Sequence, residues 1–259
     1  MEKVVLKFGG SVIPDVQAIN KVAGVVQRLS VKYDVLAVVV SAMGKTTNKL
    51  DAMAQEVRPD WKENYLAGPE GAAILVTGEL QTAPLLALRL LDSVNGKFAQ
   101  SYNAFQAGIC TNDDYHNAKI IRIGNKVPKA VSSGILPIIA GYQGRTKNGA
   151  FTTLGREGSD FTAVEFALKL KADFCMFFKD KGGIYDKNPE CPDAQVLDFV
   201  PYDTMLNFID SRPQQVLYRK CVERAQNKKL PLCVVGIDDL EHMSWVASPQ
   251  WWNDRNKHR

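Results

Sequence analysis

The sequence lacks the marks of several protein classes. Its five cysteines, Cys110, Cys175, Cys191, Cys221 and Cys233, contain no Cys-x-x-Cys pair, and only His116, His242 and His258 could join them as ligands. The spacing of a zinc site is missing, so no metal-binding residue is assigned and reduced thiols of a cytoplasmic protein are expected. No run of about eighteen apolar residues is present. The N-terminus opens into a strand-like run instead of a basic segment followed by an apolar one, so neither a membrane span nor a secretory leader is expected. Internal repeats, low-complexity segments and a linker that would cut the chain are all absent. Positive charge is not concentrated: the net +4 is spread along the chain, and only 253–259 is basic. That stretch reads as a solvated end, not a nucleic-acid contact. With 46% hydrophobic content in 259 residues, disorder is excluded. One α/β domain or two closely apposed lobes fit.

What is present is a series of strand-like runs, each ending in a polar or glycine-rich turn. Val4 to Phe8 reads as a buried strand stopped by Gly9-Gly10-Ser11. Lys7 inside it is either an edge residue or a cation pointing into a cleft at the carboxyl end of the strand, and the glycines would let backbone amides approach an anion. Residues 15–33 have helical periodicity and 35–40 form a second strand, a β-α-β unit that implies parallel pairing. The following Ser41 to Asn48 ends like a Walker A loop, but Val39 stands where that motif needs its first glycine. The segment is then a turn with an N-cap, or a ligand loop.

Residues 51–70 read as helix and loop without evident chemistry. The apolar stretch 72–91 reads as a buried helix, in which Glu79 either faces solvent or holds a cationic group. Short strands and turns are expected over 98–121, a buried strand over 135–142, and a hairpin turn at 147–149. Within Thr152 to Ala163, two glycines, Arg156, Ser159 and Asp160 gather before a helical run. Ser159 suits an N-cap and Asp160 a first turn, which describes an ordinary capped helix or an anion site. Phe174 to Phe178 is a strand entering the polar loop 179–189. Helices are expected at 202–209 and 213–229, and a last strand at 230–235.

In this order, Lys7 to Val12, Val40 to Asn48, Gly78-Glu79, Thr152 to Ala163, Asp180 to Tyr185 and Gln226 to Leu232 resemble the amino acid kinase family, most closely the catalytic domain of aspartate kinase. The resemblance spans nearly the whole chain. It implies an α/β three-layer αβα sandwich around a mainly parallel sheet, one domain over 1–259. Its N-terminal lobe (about 1–172) would serve the amino acid and its C-terminal lobe (about 173–259) the nucleotide. The implied reaction moves the ATP γ-phosphoryl group to the side-chain carboxylate of L-aspartate, with Mg2+ on the phosphates, as the first step of aspartate-family (lysine) biosynthesis. Lys7 resembles the catalytic lysine, with Gly9, Gly10 and Ser11 beside the phosphates, and Asp160 the acid that orients it. Ser41, Thr47, Glu79, Tyr142, Arg156 and Ser159 resemble the amino-acid pocket, Glu79 for the ammonium and Arg156 for a carboxylate. Lys179, Asp180, Tyr185 and Gln215 fall where the family contacts ATP. A homodimer is implied, with neither nucleic acid nor membrane as partner. A carboxylate acceptor, with a pKa of about 3.9, needs no general base, and Lys7→Ala is expected to cut turnover by orders of magnitude with little loss of fold.

The match departs from the family at three positions. Gln215 replaces a lysine, Glu190 a basic residue, and Glu157 a glycine. Lys187, Arg219 and Lys220 are the candidates to replace the missing cations. The chain stops near the end of the catalytic domain, short of the family's C-terminal ACT regulatory domains, so feedback control is expected only from a separate regulatory chain. A related kinase for another carboxylate, carbamate or phosphate, and a non-catalytic regulatory homologue, are the alternatives.

Overall fold

The structure, a computed structural model, describes residues 1–92, 94–211 and 216–257. The chain begins β1 (Lys3–Phe8), α1 (Val16–Lys32), β2 (Asp34–Val40), α2 (Thr46–Val57), α3 (Gly68–Leu75) and α4 (Thr77–Arg89). It continues β3 (Phe98–Tyr102), α5 (Ala104–Ala107), β4 (Ile109–Thr111), β5 (Ile120–Ile123), α6 (Lys126–Ser132) and β6 (Ile135–Ala140). Next come β7 (Gln143–Arg145), β8 (Phe151–Thr153), α7 (Gly158–Leu170), β9 (Phe174–Lys179), β10 (Ile184–Tyr185) and β11 (Val196–Leu197). The end is β12 (Phe199–Pro201), α8 (Tyr202–Ser211), α9 (Arg219–Lys228), β13 (Leu232–Gly236), β14 (Met243–Ala247) and α10 (Pro249–Asn256).

Eight strands form the central sheet in the order β12-β14-β13-β9-β1-β2-β6-β3. All neighbours are parallel except β13 and β14. Its strands are near-continuous apolar runs because both faces are covered. Val4, Leu6 and Phe8 point to the side of α1 and α4, while Val5 points to the side of α7, α8 and α9. These two apolar layers make the expected three-layer αβα sandwich. The two-residue period of β1 also puts Lys7 on the face of Val5, toward α7. From β1 the sheet grows one way through β2, β6 and β3 and the other way through β9 and β13. The switch in strand order thus falls at β1 and β9, where α/β sheets open a crevice at the carboxyl ends. A smaller four-stranded sheet, β5-β4-β7-β8, leads into α7.

Several expectations change. The apolar stretch 72–91 belongs to two helices, α3 and α4, that meet at Val76; the segment is apolar enough for a membrane span, yet it is packed into the core and carries buried Glu79. Of the helix expected over 213–229, positions 213–215 lie outside the described residues, and α9 begins at Arg219, after extended Tyr218. The strand at 232–236 is not the last, because β14 pairs with it and α10 follows. The basic end is no free tail: Arg255 pairs with Glu2 at 2.5 Å and lies 4.3 Å over the Trp245 ring, which anchors α10 to β14.

Candidate active site

Three turns at the carboxyl ends of β1, β2 and β6 form the floor. Gly44 N–H donates to Gly10 O at 3.1 Å and to Ile13 O at 2.9 Å, and Gly141 N–H donates to Val40 O at 3.0 Å. Glycine is required where these turns touch. A Cβ on Gly10 would lie 2.8 Å from Ala42 O, and one on Gly141 would strike Ser159. Gly9 is buried below them, and a Cβ there would come 3.1 Å from Lys7 Nζ.

Lys7, 3% exposed, meets Asp160, which is fully buried, as an ion pair. Lys179, at the end of β9, approaches the other Asp160 oxygen at 3.6 Å. Both lysines reach the carboxylate off the lines of well-aligned hydrogen bonds. Burial works to raise the Asp160 carboxyl, but Lys7 and then Lys179 outweigh it and hold it below the usual carboxylate range. An ionised acid thus fixes a buried ammonium directly beneath the cleft.

Glu79 lies in the first turn of α4, 3% exposed. Its Oε1 accepts the Ala42 N–H at 3.0 Å, and Oε2 has no partner among the described residues. Gly78 allows this approach, since a Cβ on it would stand 2.6 Å from Ala42 Cβ. Burial pushes the Glu79 carboxyl up to about 8, against the Ala42 hydrogen bond and the distant Lys7. A buried carboxyl with an orphaned oxygen suits a cationic group brought in by a ligand.

The cleft above measures about 560 Å3, and its lining includes Lys7, Gly10, Ser41, Thr47, Glu79, Tyr142, Arg156 and Ser159. Eight sequence-predicted residues therefore come together, from β1, four turns and three helices. Ser159 lines the cleft but is not the helix cap. The cap is Glu157, in the left-handed region at φ 57°, with Gly155 at φ 78° before it. That conformation explains why glycine suits position 157. Asp160 sits in the first turn as expected. Tyr142 is also left-handed, at φ 68°, a costly state for an aromatic residue that places its ring at the cleft.

The proposed nucleotide residues are less gathered. Ser11, on the turn after β1, is exposed and outside the lining. Asp180 follows β9 and Tyr185 lies on β10, paired with Val196, neither in the lining. Gln215 lies outside the described residues. Glu190 is not a bare anion, because Lys181 pairs with it. Of the three candidate replacement cations, Lys187 is paired with Asp193 and Arg219 with Asp210 and Glu223. Lys220 instead donates to Asn117 Oδ1 at 3.3 Å, and Asn117 borders Gly155 at the cleft rim.

Asn48, Asp51, Trp61, Lys62, His116 and Thr153 also line the cleft, although 51–70 reads as featureless in sequence. The one available signal was a lone tryptophan among charges. Trp61 is 3% exposed and stacks edge-on against His116, centroids 4.8 Å apart. Burial pushes the His116 imidazole below its usual range.

Comparison with known proteins follows the same lines. The model of the amino acid kinase family matches residues 2–236. The aspartokinase of Geobacillus stearothermophilus is 36% identical over 245 residues, 94% of this chain and 58% of that protein, so the chain spans little more than half the length of this relative. The structure of aspartate kinase from Synechocystis superposes with a TM-score of 0.78 at 31% identity, covering 95% of this chain and 40% of that one. Aspartokinase III of E. coli, solved with aspartate and ADP, shares the fold at a TM-score of 0.78 and 23% identity, over 95% of this chain and 65% of its own. With the family match running from β1 into β13, and with the sheet and the residues of its switch point in agreement, the chain belongs to the amino acid kinase family.

Proposed function

We propose that this chain transfers the γ-phosphoryl group of ATP to the side-chain carboxylate of L-aspartate, giving 4-phospho-L-aspartate and ADP. The observation that carries this reading is the buried Lys7–Asp160 pair under a cleft that also presents Glu79 and Arg156. The aspartokinase relatives support it, as does the E. coli neighbour solved with aspartate and ADP. In this reading Glu79 holds the α-ammonium and Arg156 a carboxylate, with Ser41, Thr47, Tyr142 and Ser159 completing the acceptor pocket. Lys7 offsets the charge of the phosphoryl group in transfer, Gly9 and Gly10 offer N–H donors to it, and Asp160 holds Lys7 in place. Lys179, Asp180 and Tyr185 serve the nucleotide from the C-terminal lobe (about 173–259), opposite the acceptor lobe (about 1–172). The acceptor is already an anion at neutral pH, so no base has to deprotonate it.

Among the described residues no three His, Cys, Asp or Glu side chains converge as metal ligands. In this reading Mg2+ is carried by the substrate's own phosphates, whose charge the ion shields. A homodimer, a cytoplasmic location and a place in lysine biosynthesis belong to the same reading.

The test is ADP release from Mg-ATP with L-aspartate, in the unaltered chain and in Gln215→Lys. Aspartate-dependent ADP formation is expected, rising in the variant if the nucleotide side is short of a cation. ADP formation no greater with aspartate than without it would overturn the assignment.

A further inference from the structure

The cleft wall nearest Glu79 contains groups that the roles above leave unused. Trp61, between α2 and α3, clusters with Ala54 and Leu75, and Tyr142 packs against them. Trp61, Leu75, Tyr142 and Glu79 all line the same cleft, so the indole borders its acceptor side. It cannot retreat: a Cβ on Gly71 of α3 would lie 2.0 Å from Trp61 Cε3. On another side the His116 ring meets it edge-on at 84°. A second aromatic pair, Tyr65 and Tyr115 with centroids 5.6 Å apart, joins the same two loops. The 115–118 segment is fixed in turn to β8, where Thr153 N–H donates to Tyr115 O at 2.9 Å and Ala118 N–H to Thr153 O at 2.8 Å. Lys62 ties the Trp61 loop to Asp51 of α2 at 2.7 Å. Trp61 Nε1, His116 Nδ1 and Asp51 Oδ1 have no hydrogen-bond partner among the described residues. All three residues line the cleft, with these atoms buried behind its surface.

We propose that Trp61, braced by Gly71 and His116, is the wall that sets acceptor length, admitting a four-carbon amino dicarboxylate and excluding its five-carbon homologue; this rests on the aspartate-kinase reading above. A rigid aromatic surface has little room to yield to an added methylene, and such a difference is worth about 10–200-fold in specificity. Trp61 touches no reacting atom in this scheme. It acts on which acceptor reaches Lys7.

The experiment compares kcat/KM for L-aspartate and L-glutamate in the unaltered chain, Trp61→Ala, Trp61→Phe and His116→Ala, alongside calorimetric binding of each acid. Trp61→Ala should raise the glutamate-to-aspartate ratio about tenfold or more, mainly through KM. Trp61→Phe and His116→Ala should raise it less, and they keep the test open should Trp61→Ala fail to fold. Binding separates the two claims. A chain that binds aspartate without forming ADP refutes the reaction, and its binding ratios still judge the wall. An unchanged ratio in all variants, by rate and by binding, overturns the wall itself.

Discussion

Lys7 of β1 and Asp160 of α7 form an ion pair sealed from solvent, the strand supplying the cation and the helix the anion. Removing Lys7 leaves Asp160 buried with Lys179, 3.6 Å away, as its remaining cation. A change without cost to the fold is therefore not what the structure supports. Lys7→Ala should lose about a hundredfold or more in turnover and about 3 kcal/mol of stability, since breaking a buried pair strands a charge. The double change Lys7→Met with Asp160→Leu should recover part of that stability and none of the turnover. Urea unfolding and ADP release measure both, and a near-normal rate in Lys7→Ala would remove its catalytic role.

Glu79 gives the chain a pH signature. Burial holds its folded carboxyl protonated up to about pH 8, against an ordinary value of 4.5. The folded state thus binds the extra proton between these values, so this group makes stability fall as pH rises from about 4.5 to 8 and level off above. Glu79→Gln should flatten that part of the melting-temperature profile. Capture of an ammonium requires the ionised form, so aspartate affinity in the unaltered chain should improve by up to about tenfold per unit as pH rises toward 8. Calorimetry in buffers of differing ionisation enthalpy should record proton release on binding. A pH-independent affinity between 6 and 8 would show that Glu79 does not receive the ammonium.

The candidate site was legible where the sequence holds residue types that packing alone disfavours. A lysine inside Val4 to Phe8 and a carboxylate inside an apolar helix both stood out, and the two-residue period of β1 set the face of Lys7. The same logic failed at Trp61 and His116. Their wall is assembled from residues 51, 61, 116 and 142, which only the sheet topology and loop packing bring together, and nothing local marks their partnership. The end of the chain failed for a similar reason. Arg255 reads as part of a solvated tail until Glu2 and Trp245, both distant in sequence, are seen beside it.

Glu157 caps α7 in a left-handed conformation, φ 57°. That state costs a residue with a side chain about 1–2 kcal/mol, while glycine loses about 0.5–1 kcal/mol to its greater freedom when unfolded. Glu157→Gly should thus gain about 0.5–1 kcal/mol and raise the melting temperature by about 2 °C. The change also takes a carboxylate out of the cleft lining, so the KM for anionic substrates should fall. Loss of stability in this variant would mean that the Glu157 side chain makes a favourable interaction that outweighs its backbone strain.

Gly10 tests whether the floor of the cleft tolerates displacement. A Cβ there would stand 2.8 Å from Ala42 O and 3.0 Å from Gly44 O, both backbone atoms with no rotamer to turn aside. Gly10→Ala must then part the turn after β1 from the turn after β2, stretching the Gly44 N–H bond to Gly10 O, now 3.1 Å. Lys7 sits on one side of that seam and Ser41 and Thr47 on the other. A shift of about 1 Å between them should cost roughly a hundredfold in kcat/KM, with overpacking costing about 1–3 kcal/mol of stability. Gly24→Ala is the matched control: the site is in α1 with nothing within 4 Å of the added Cβ, and alanine favours a helix interior by about 1 kcal/mol. The control should keep full activity and melt no lower than the unaltered chain. If Gly10→Ala matches it in rate, the contact between the two turns does not position the reacting groups, and the Lys7 ammonium must be held by Asp160 alone.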